Sequence, residues 1–376
     1  MGNVITKVFC CKKNKTKITK GNDSKINIKI DDESITASQK IPNNKSLDKF
    51  YLTGTLQCLF YTNNLTKYFR MKYKEDKIKI ISTQYYNIIK NLWNENEPFS
   101  PQNFKKYTHN FYNSLKEKNI KNDSKELIEF LFENIHKELN IGIINKNISD
   151  EIIDGSDKKK VFELFLNNFR NSHNSIISNL FYGIYEMKYE CNSCNSTIYN
   201  YELFHFVELN VEKKSPLRIT KENKINNIME TVDINLPEFF DFNKKNHYII
   251  EEKKTKCDCT SKINKYLKIL FSMPNYLIVF LKRDKNHKYN IMFPEKLDLT
   301  NYLIHNEYAQ IFNLYGVIPL HNQDHNMNYF ISYCKHPNTN KWYKYNENEV
   351  IKCQNNEYLQ IDPYVLFYER KRKKIK

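Results

Sequence analysis

No stretch of this 376-residue chain approaches 18 consecutive apolar residues, so nothing in it is expected to span a bilayer as a helix. Glycine is almost missing, with seven in the chain, while lysine, asparagine and isoleucine are heavily used. Such a bias resembles the codon usage of an AT-rich genome, and Asn or Lys runs are therefore discounted as functional signals. No secretory signal peptide opens the chain, and the nine cysteines are odd in number. A disulfide framework is thereby disfavoured, and a reducing compartment with a metal site fits better. No internal repeat is visible.

What is present is a globular composition, 40% hydrophobic and 14% aromatic, in a chain long enough for one large domain or two ordinary ones. The net charge of +16 invites a nucleic-acid reading, but its distribution argues against one. Residues 1–45 carry ten lysines against four acids, and residues 369–376 carry six basic residues against Glu369. Eleven of the sixteen charges thus sit in terminal tails rather than on one face, so no nucleic-acid partner is expected.

The amino terminus, Met1-Gly2-Asn3-Val4-Ile5-Thr6, fits the N-myristoylation pattern, with Gly2 as acceptor. Cys10 and Cys11 follow as palmitoylation candidates, and Lys12, Lys13, Lys15, Lys17 and Lys20 form a polybasic run. One acyl chain holds a protein to a bilayer only marginally, and a second chain or a basic patch makes the anchorage stable. The expectation is a membrane-surface partner, on the cytosolic face, for an acylated basic tail and linker over residues 1–40. The alternative is an untethered solvated tail. Residues 371–376 form a second basic tail.

From residue 41 the chain reads as ordered. Leu52, Leu56, Leu59 and Phe60 repeat at helical spacing and place a core helix just after Phe50. Residues 125–139 are amphipathic, with Leu127, Phe130, Leu131, Asn134 and Ile135 on one side and Asp123 or Ser124 as cap. After residue 185 short strand-like runs take over: 204–211, 276–281, 313–318, 329–334 and 364–368. Helices first and strands later define an α+β protein.

Seven blocks in register carry a family resemblance. Phe50-Tyr-Leu-Thr-Gly-Thr-Leu-Gln-Cys-Leu59 resembles the cysteine box C-Y-x-N-S-x-L-Q-x-L of the ubiquitin-specific proteases. Tyr329-Phe-Ile-Ser-Tyr333 with Lys341-Trp-Tyr-Lys-Tyr-Asn346 resembles their histidine box. Asn122 to Leu127, the Cys191-Asn-Ser-Cys194 knuckle, Met273 to Arg283, Phe293 to Leu299 and Tyr364 to Tyr368 resemble five further blocks in the family's order.

The resemblance implies the papain-like ubiquitin-specific protease fold over residues 41–370. A helical thumb would occupy about 41–180, and β fingers and palm about 181–370. It also implies that the nucleophile's place holds Phe50 and the base's place Tyr329, while Asn346 matches the orienting residue. The oxyanion asparagine falls on Lys45, with Asn44 one residue off. A phenyl ring has no lone pair to attack a carbonyl, and a phenol is a poor base near neutral pH. Asp123 and Glu126 match the acidic positions that hold ubiquitin's arginine-rich tail; read alone, they are equally a helix N-terminal pair. Cys191, Cys194, Cys257 and Cys259 match a structural zinc site, although the second pair is C-x-C where the family has C-x-x-C.

The leading expectation is therefore a membrane-tethered pseudo-deubiquitinase that binds ubiquitin, a ubiquitin-like protein or another partner without cutting it. Two alternatives stay open. One is an active isopeptidase with displaced catalytic residues, for which Cys58, Cys334 and His325 come into view. The other is a scaffold that has kept only the fold.

Overall fold

The structure is a computed structural model, and it describes residues 50–92, 123–142, 155–211, 232–237, 239–240, 248–250, 264–282, 289–304, 308–320, 331–337, 339–345 and 350–371. The fold is α+β, as the order of helical and strand signals implies. The described residues divide into two compact units, one drawn from 50–139 and 315–367, the other from 140–314 and 368–371.

In the first unit four helices precede the strands: α1 Phe50–Phe60, α2 Asn63–Met71, α3 Ile80–Leu92 and α4 Ser124–Leu139. The helix expected just after Phe50 thus starts at Phe50 itself, and its Leu56, Leu59 and Phe60 are buried. Phe60, Phe69 and Tyr85 from three successive helices pack ring against ring, with centroids 5.3 and 4.9 Å apart. In α4 the buried side is Leu127, Ile128, Leu131, Phe132, Ile135 and Leu139, while Phe130 and Asn134 are only half-buried. The buried arc is rotated from the expected one because α4 packs against both α1 and α3. Helix α3 begins without a capping side chain of its own. Glu138 of α4 supplies it, accepting from the backbone N–H groups of Ile81 at 3.0 Å and Ser82 at 2.7 Å.

The strands of this unit run in the order β13 (Val350–Lys352), β12 (Trp342–Tyr345), β11 (Ser332–Lys335), β10 (Ile311–Pro319) and β14 (Pro363–Arg370). Neighbours β11 and β12 are antiparallel, with Ser332 opposite Tyr345 and Cys334 opposite Tyr343. Helix α1 lies on this layer. A Cβ added at Gly54 would sit 3.6 Å from the Ser332 Cβ, and one added at Gly316 only 3.2 Å from the Cys58 sulfur. Gly316 is therefore what lets α1 approach β10 so closely.

The second unit carries α5 (Lys158–Ser172) and α6 (Ile176–Phe181) with the remaining strands. Asp157 caps α5, and a Ser175/Ser178 capping box starts α6. A four-stranded sheet has the order β2 (Thr197–Phe204), β1 (Gly183–Cys191), β6 (Asn264–Ser272), β5 (Tyr248–Ile250). Leu166 of α5 meets Ile184, Tyr201 and Phe271 of that sheet in a buried cluster. Within this unit β3 (Val207–Asn210) pairs in parallel with β7 (Tyr276–Lys282), and β9 (Lys296–Asp298) pairs with residues 311–313 at the start of β10. Strands β4 (Val232–Asn235) and β8 (Tyr289–Met292) form a parallel pair. The run 204–211, read from sequence as one strand, breaks at His205–Phe206 into the end of β2 and β3.

Candidate functional site

The seam between α1 and β11 runs in one direction along both elements. Gly54 faces Ser332, and one turn later the Cys58 and Cys334 sulfurs are 3.6 Å apart. Followed backward, the seam leads to the start of α1 at Phe50 and to the start of β11, with the end of β12 across from Ser332. Tyr329 lies three residues before β11 and Asn346 directly after β12. The topology thus gathers at one end of the seam the elements that lead to all three sequence-assigned positions. The side chain of Phe50, and Tyr329, Asn346, Lys45 and His325 altogether, lie outside the described residues.

Within the seam the chemistry is closed. Cys58 and Cys334 are both 0% exposed, and burial, with Cys58 beside it, pushes the Cys334 thiol well above its ordinary range. An attacking sulfur must be a thiolate that a substrate reaches. His336, just beyond β11, is also buried, and desolvation lowers its pKa. Its Nδ1 accepts the Thr339 backbone N–H at 3.2 Å, so the lone pair a base would use is engaged. Farther along, the Tyr61 and Tyr345 hydroxyls bond to one another, and Thr62 bonds Tyr315 at 2.8 Å.

At the start of α4 the situation is different. Asp123 immediately precedes the helix, and its Oδ1 accepts the Lys125 backbone N–H at 3.2 Å, a helix cap that the sequence anticipates. The same oxygen accepts the hydroxyl of Tyr364, from β14, at 2.5 Å. Asp123 is half-buried, and Glu126 is half-buried one turn on. Sequence reasoning misses the Tyr364 contact, for the partners are 241 residues apart. The only hint is position: Tyr364 is the second residue of a strand in which Val365, Leu366, Phe367 and Tyr368 are all buried, so its half-buried place stands out.

In the second unit, Cys191 ends β1 and Cys194 sits in the turn to β2. The Asn195 N–H donates to the Cys191 carbonyl and the Cys191 N–H to the Ser196 carbonyl, both at 2.9 Å. Asn195 takes a left-handed φ of 57°, which closes this tight turn where a glycine is the usual solution. Cys191 pairs in register with Asn264, the first residue of β6, which also pairs with Ile250 of β5. The segment between Ile250 and Asn264 contains Cys257 and Cys259, both outside the described residues, as are Gly2, Cys10 and Cys11.

In one unit α1 lies on an antiparallel layer, and in the other a sheet ends in a Cys-x-x-Cys turn, both of which the ubiquitin-specific protease resemblance implies. The comparisons with known proteins agree. The ubiquitin carboxyl-terminal hydrolase family model matches residues 48–368, and this chain belongs to that family. It is 23% identical over 339 residues to ubiquitin carboxyl-terminal hydrolase Usp2 of Drosophila melanogaster, covering 85% of this chain and 34% of the fly protein. To ubiquitin carboxyl-terminal hydrolase 2 of Rattus norvegicus it is 24% identical over 345 residues, covering 85% of this chain and 52% of the rat protein. The chain therefore spans a third to a half of the length of these relatives.

Among solved structures, the yeast SAGA DUB module superposes with a TM-score of 0.59 at 18% identity, covering 89% of this chain and 71% of that one. The Ubp8/Sgf11/Sus1/Sgf73 module bound to ubiquitin aldehyde gives 0.59 at 18% identity, over 86% and 68%. At this identity the likeness establishes the fold.

Proposed function

We propose that the protein is a membrane-tethered pseudo-deubiquitinase: it binds ubiquitin, or a ubiquitin-like protein, and does not hydrolyse its conjugates. The observation that carries this reading is Phe50 at the first position of α1, the place the family's cysteine box gives to its nucleophile. Tyr329 in the base position and Lys45 in the oxyanion position compound the loss. Loss of the nucleophile alone lowers a protease's rate on the order of a million-fold. The displaced-residue alternative is weakened by the two fully buried thiols of the seam.

Recognition has fared better than catalysis. The Asp123 carboxylate, fixed by Tyr364 and the Lys125 N–H, is suited to a charge-assisted bond with a guanidinium, and ubiquitin's tail carries arginines. A related structure is that of a module bound to ubiquitin aldehyde, which gives the family fold a ubiquitin-bound precedent. Gly2, with Cys10, Cys11 and the lysines after them, would supply the membrane attachment.

The Cys191–Cys194 turn fits a metal knuckle: its backbone is closed by a left-handed residue, and Cys194 is exposed beyond the sheet end. Cys191, Cys194, Cys257 and Cys259 would hold a structural zinc, which would cross-link the β1–β2 turn to the β5–β6 connection and supply no reactive position. Elemental analysis of purified protein should find about one zinc per chain, lost in Cys191→Ser/Cys194→Ser.

The deciding experiment pairs a ubiquitin-propargyl probe with calorimetry against ubiquitin. The expected result is heat of binding without covalent labelling. Labelling of the parent chain overturns inactivity, and a silent titration overturns ubiquitin recognition in favour of a scaffold.

A further inference from the structure

The connection between α2 and α3 carries an unusual surface. Within ten residues Met71 is 70% exposed, Ile78 86% and Ile80 61%. The stretch from 67 to 80 is basic: Lys67, Arg70, Lys72, Lys74, Lys77 and Lys79 stand against only Glu75 and Asp76. Both acids are already engaged, Glu75 by Lys90 at 3.6 Å and Asp76 by Lys79 at 3.4 Å. Lys72, Lys74 and Lys77 are exposed and have no salt bridge among the described residues.

The connection is also built to hold its shape. The Asp76 carboxylate accepts the Ile78 N–H at 3.1 Å, and the Asp76 carbonyl accepts the Lys79 N–H at 3.1 Å and the Thr83 hydroxyl at 2.9 Å. On the other side, buried Tyr73 shares a 2.7 Å hydrogen bond with Thr83. Ile78 is thus presented outward at the tip of a braced turn, and it does not project because the turn has frayed. Three large aliphatic side chains exposed on one short, braced connection are more than the singly scattered apolar residues that any surface carries, and they call for an occupant.

We propose that this turn is a membrane-contacting surface: Ile78, flanked by Met71 and Ile80, enters the interfacial zone of an anionic bilayer while Lys72, Lys74 and Lys77 meet acidic headgroups. Charge complementarity selects the occupant. Isolated aliphatic side chains interleaved with unpaired lysines suit a fluid, negatively charged interface, where lysine stems lie along apolar matter with their ammonium groups at the headgroups. Nucleic acid would leave the isoleucines without a role, and the isoleucines project from a turn instead of lining a groove. The folded domain therefore touches the membrane on its own account, separately from any lipid on Gly2.

The test uses the full-length chain made without acylation, so failure of this inference and failure of the lipid-anchor reading are separable. Ile78→Trp is mixed with vesicles of phosphatidylcholine containing about one third phosphatidylserine, with headgroup-proximal brominated lipid as quencher. The introduced indole should shift to the blue and be quenched, and should do neither with phosphatidylcholine alone. Ile78→Ser/Ile80→Ser should lower vesicle partitioning about tenfold with an unchanged thermal midpoint. An unquenched indole on protein that still sediments with vesicles assigns binding to the basic tails and overturns the proposal. Unchanged partitioning of the double serine variant does the same, and points to a protein as occupant.

Discussion

The α1–β11 seam and the start of α4 belong to the same compact unit, yet they treat reactive side chains in opposite ways. In the seam, sulfur is put out of reach: Cys58 and Cys334 face each other with no exposure, and a methyl group on Gly316 would crowd the Cys58 sulfur at 3.2 Å. At α4 a carboxylate is kept half-open and held by a tyrosine from a distant strand. One region uses its sulfur as packing. The other holds a pre-positioned charge, which is what the proposed binding role needs.

The largest effect expected on the proposed reading comes from placing a thiol at the head of α1. The parent chain should stay unlabelled by ubiquitin-propargyl, whereas Phe50→Cys should be labelled, since the probe needs only a docked tail and a thiol. Adding Tyr329→His should raise turnover of a fluorogenic ubiquitin substrate by about 10²–10⁴-fold over the single variant. Lys45→Asn should add a further factor of about 10²–10³, the worth of one oxyanion donor. If Phe50→Cys remains inert while ubiquitin still binds, the seam's end is not the old active site and the contrast fails.

Next in size is the recognition side. Asp123→Ala should weaken ubiquitin binding by about 10–100-fold, the loss of a charge-assisted hydrogen bond. Tyr364→Phe, which removes only the hydroxyl that orients the carboxylate, should cost about 3–10-fold with an unchanged thermal midpoint. Calorimetry reads both. If Tyr364→Phe binds as tightly as the parent, the 2.5 Å contact is packing and not positioning.

Smaller still is the packing cost in the seam. Gly316→Ala would put its methyl 3.2 Å from the Cys58 sulfur and 3.3 Å from the Phe367 Cβ. It should destabilise by about 1–3 kcal/mol. Combined with Cys58→Ala, which withdraws the sulfur, the penalty should fall short of the sum by about 1 kcal/mol, measured by urea unfolding. Strict additivity would mean that the two elements do not press on each other there.

Much of this was legible in order along the chain. The start of α1, the strands β7, β10 and β14, and the Asp123 cap follow from apolar spacing and from motifs that are contiguous in sequence. The buried side of α4 was displaced because two neighbouring helices claim it, and periodicity alone describes a helix with one neighbour. The break between β2 and β3 carries no glycine or proline; it arises because β2 pairs with β1 while β3 pairs in parallel with β7. The contacts that give the site its character span 276 residues between Cys58 and Cys334 and 241 between Asp123 and Tyr364. No local pattern encodes such pairs.

Comparable in size for each pH unit, and the most discriminating for the seam, is its response to alkali. Burial, ahead of the neighbouring Glu357, pushes both Cys353 and Tyr333 up to about 12, and burial raises Cys334 as well. These groups stay protonated in the folded protein after their counterparts in the unfolded chain have ionised. Their contribution to stability is therefore complete below the ordinary thiol range near pH 9, and it drains away as pH climbs from there toward about 12. Each thiol caught in this window should steepen the loss by about 1.4 kcal/mol per pH unit. Thermal midpoints should accordingly drop sharply above pH 9, and less sharply in Cys334→Ala. A stability profile unmoved by Cys334→Ala would mean that the seam admits solvent to its sulfur, and the contrast between a shut region and an open one would lose its physical basis.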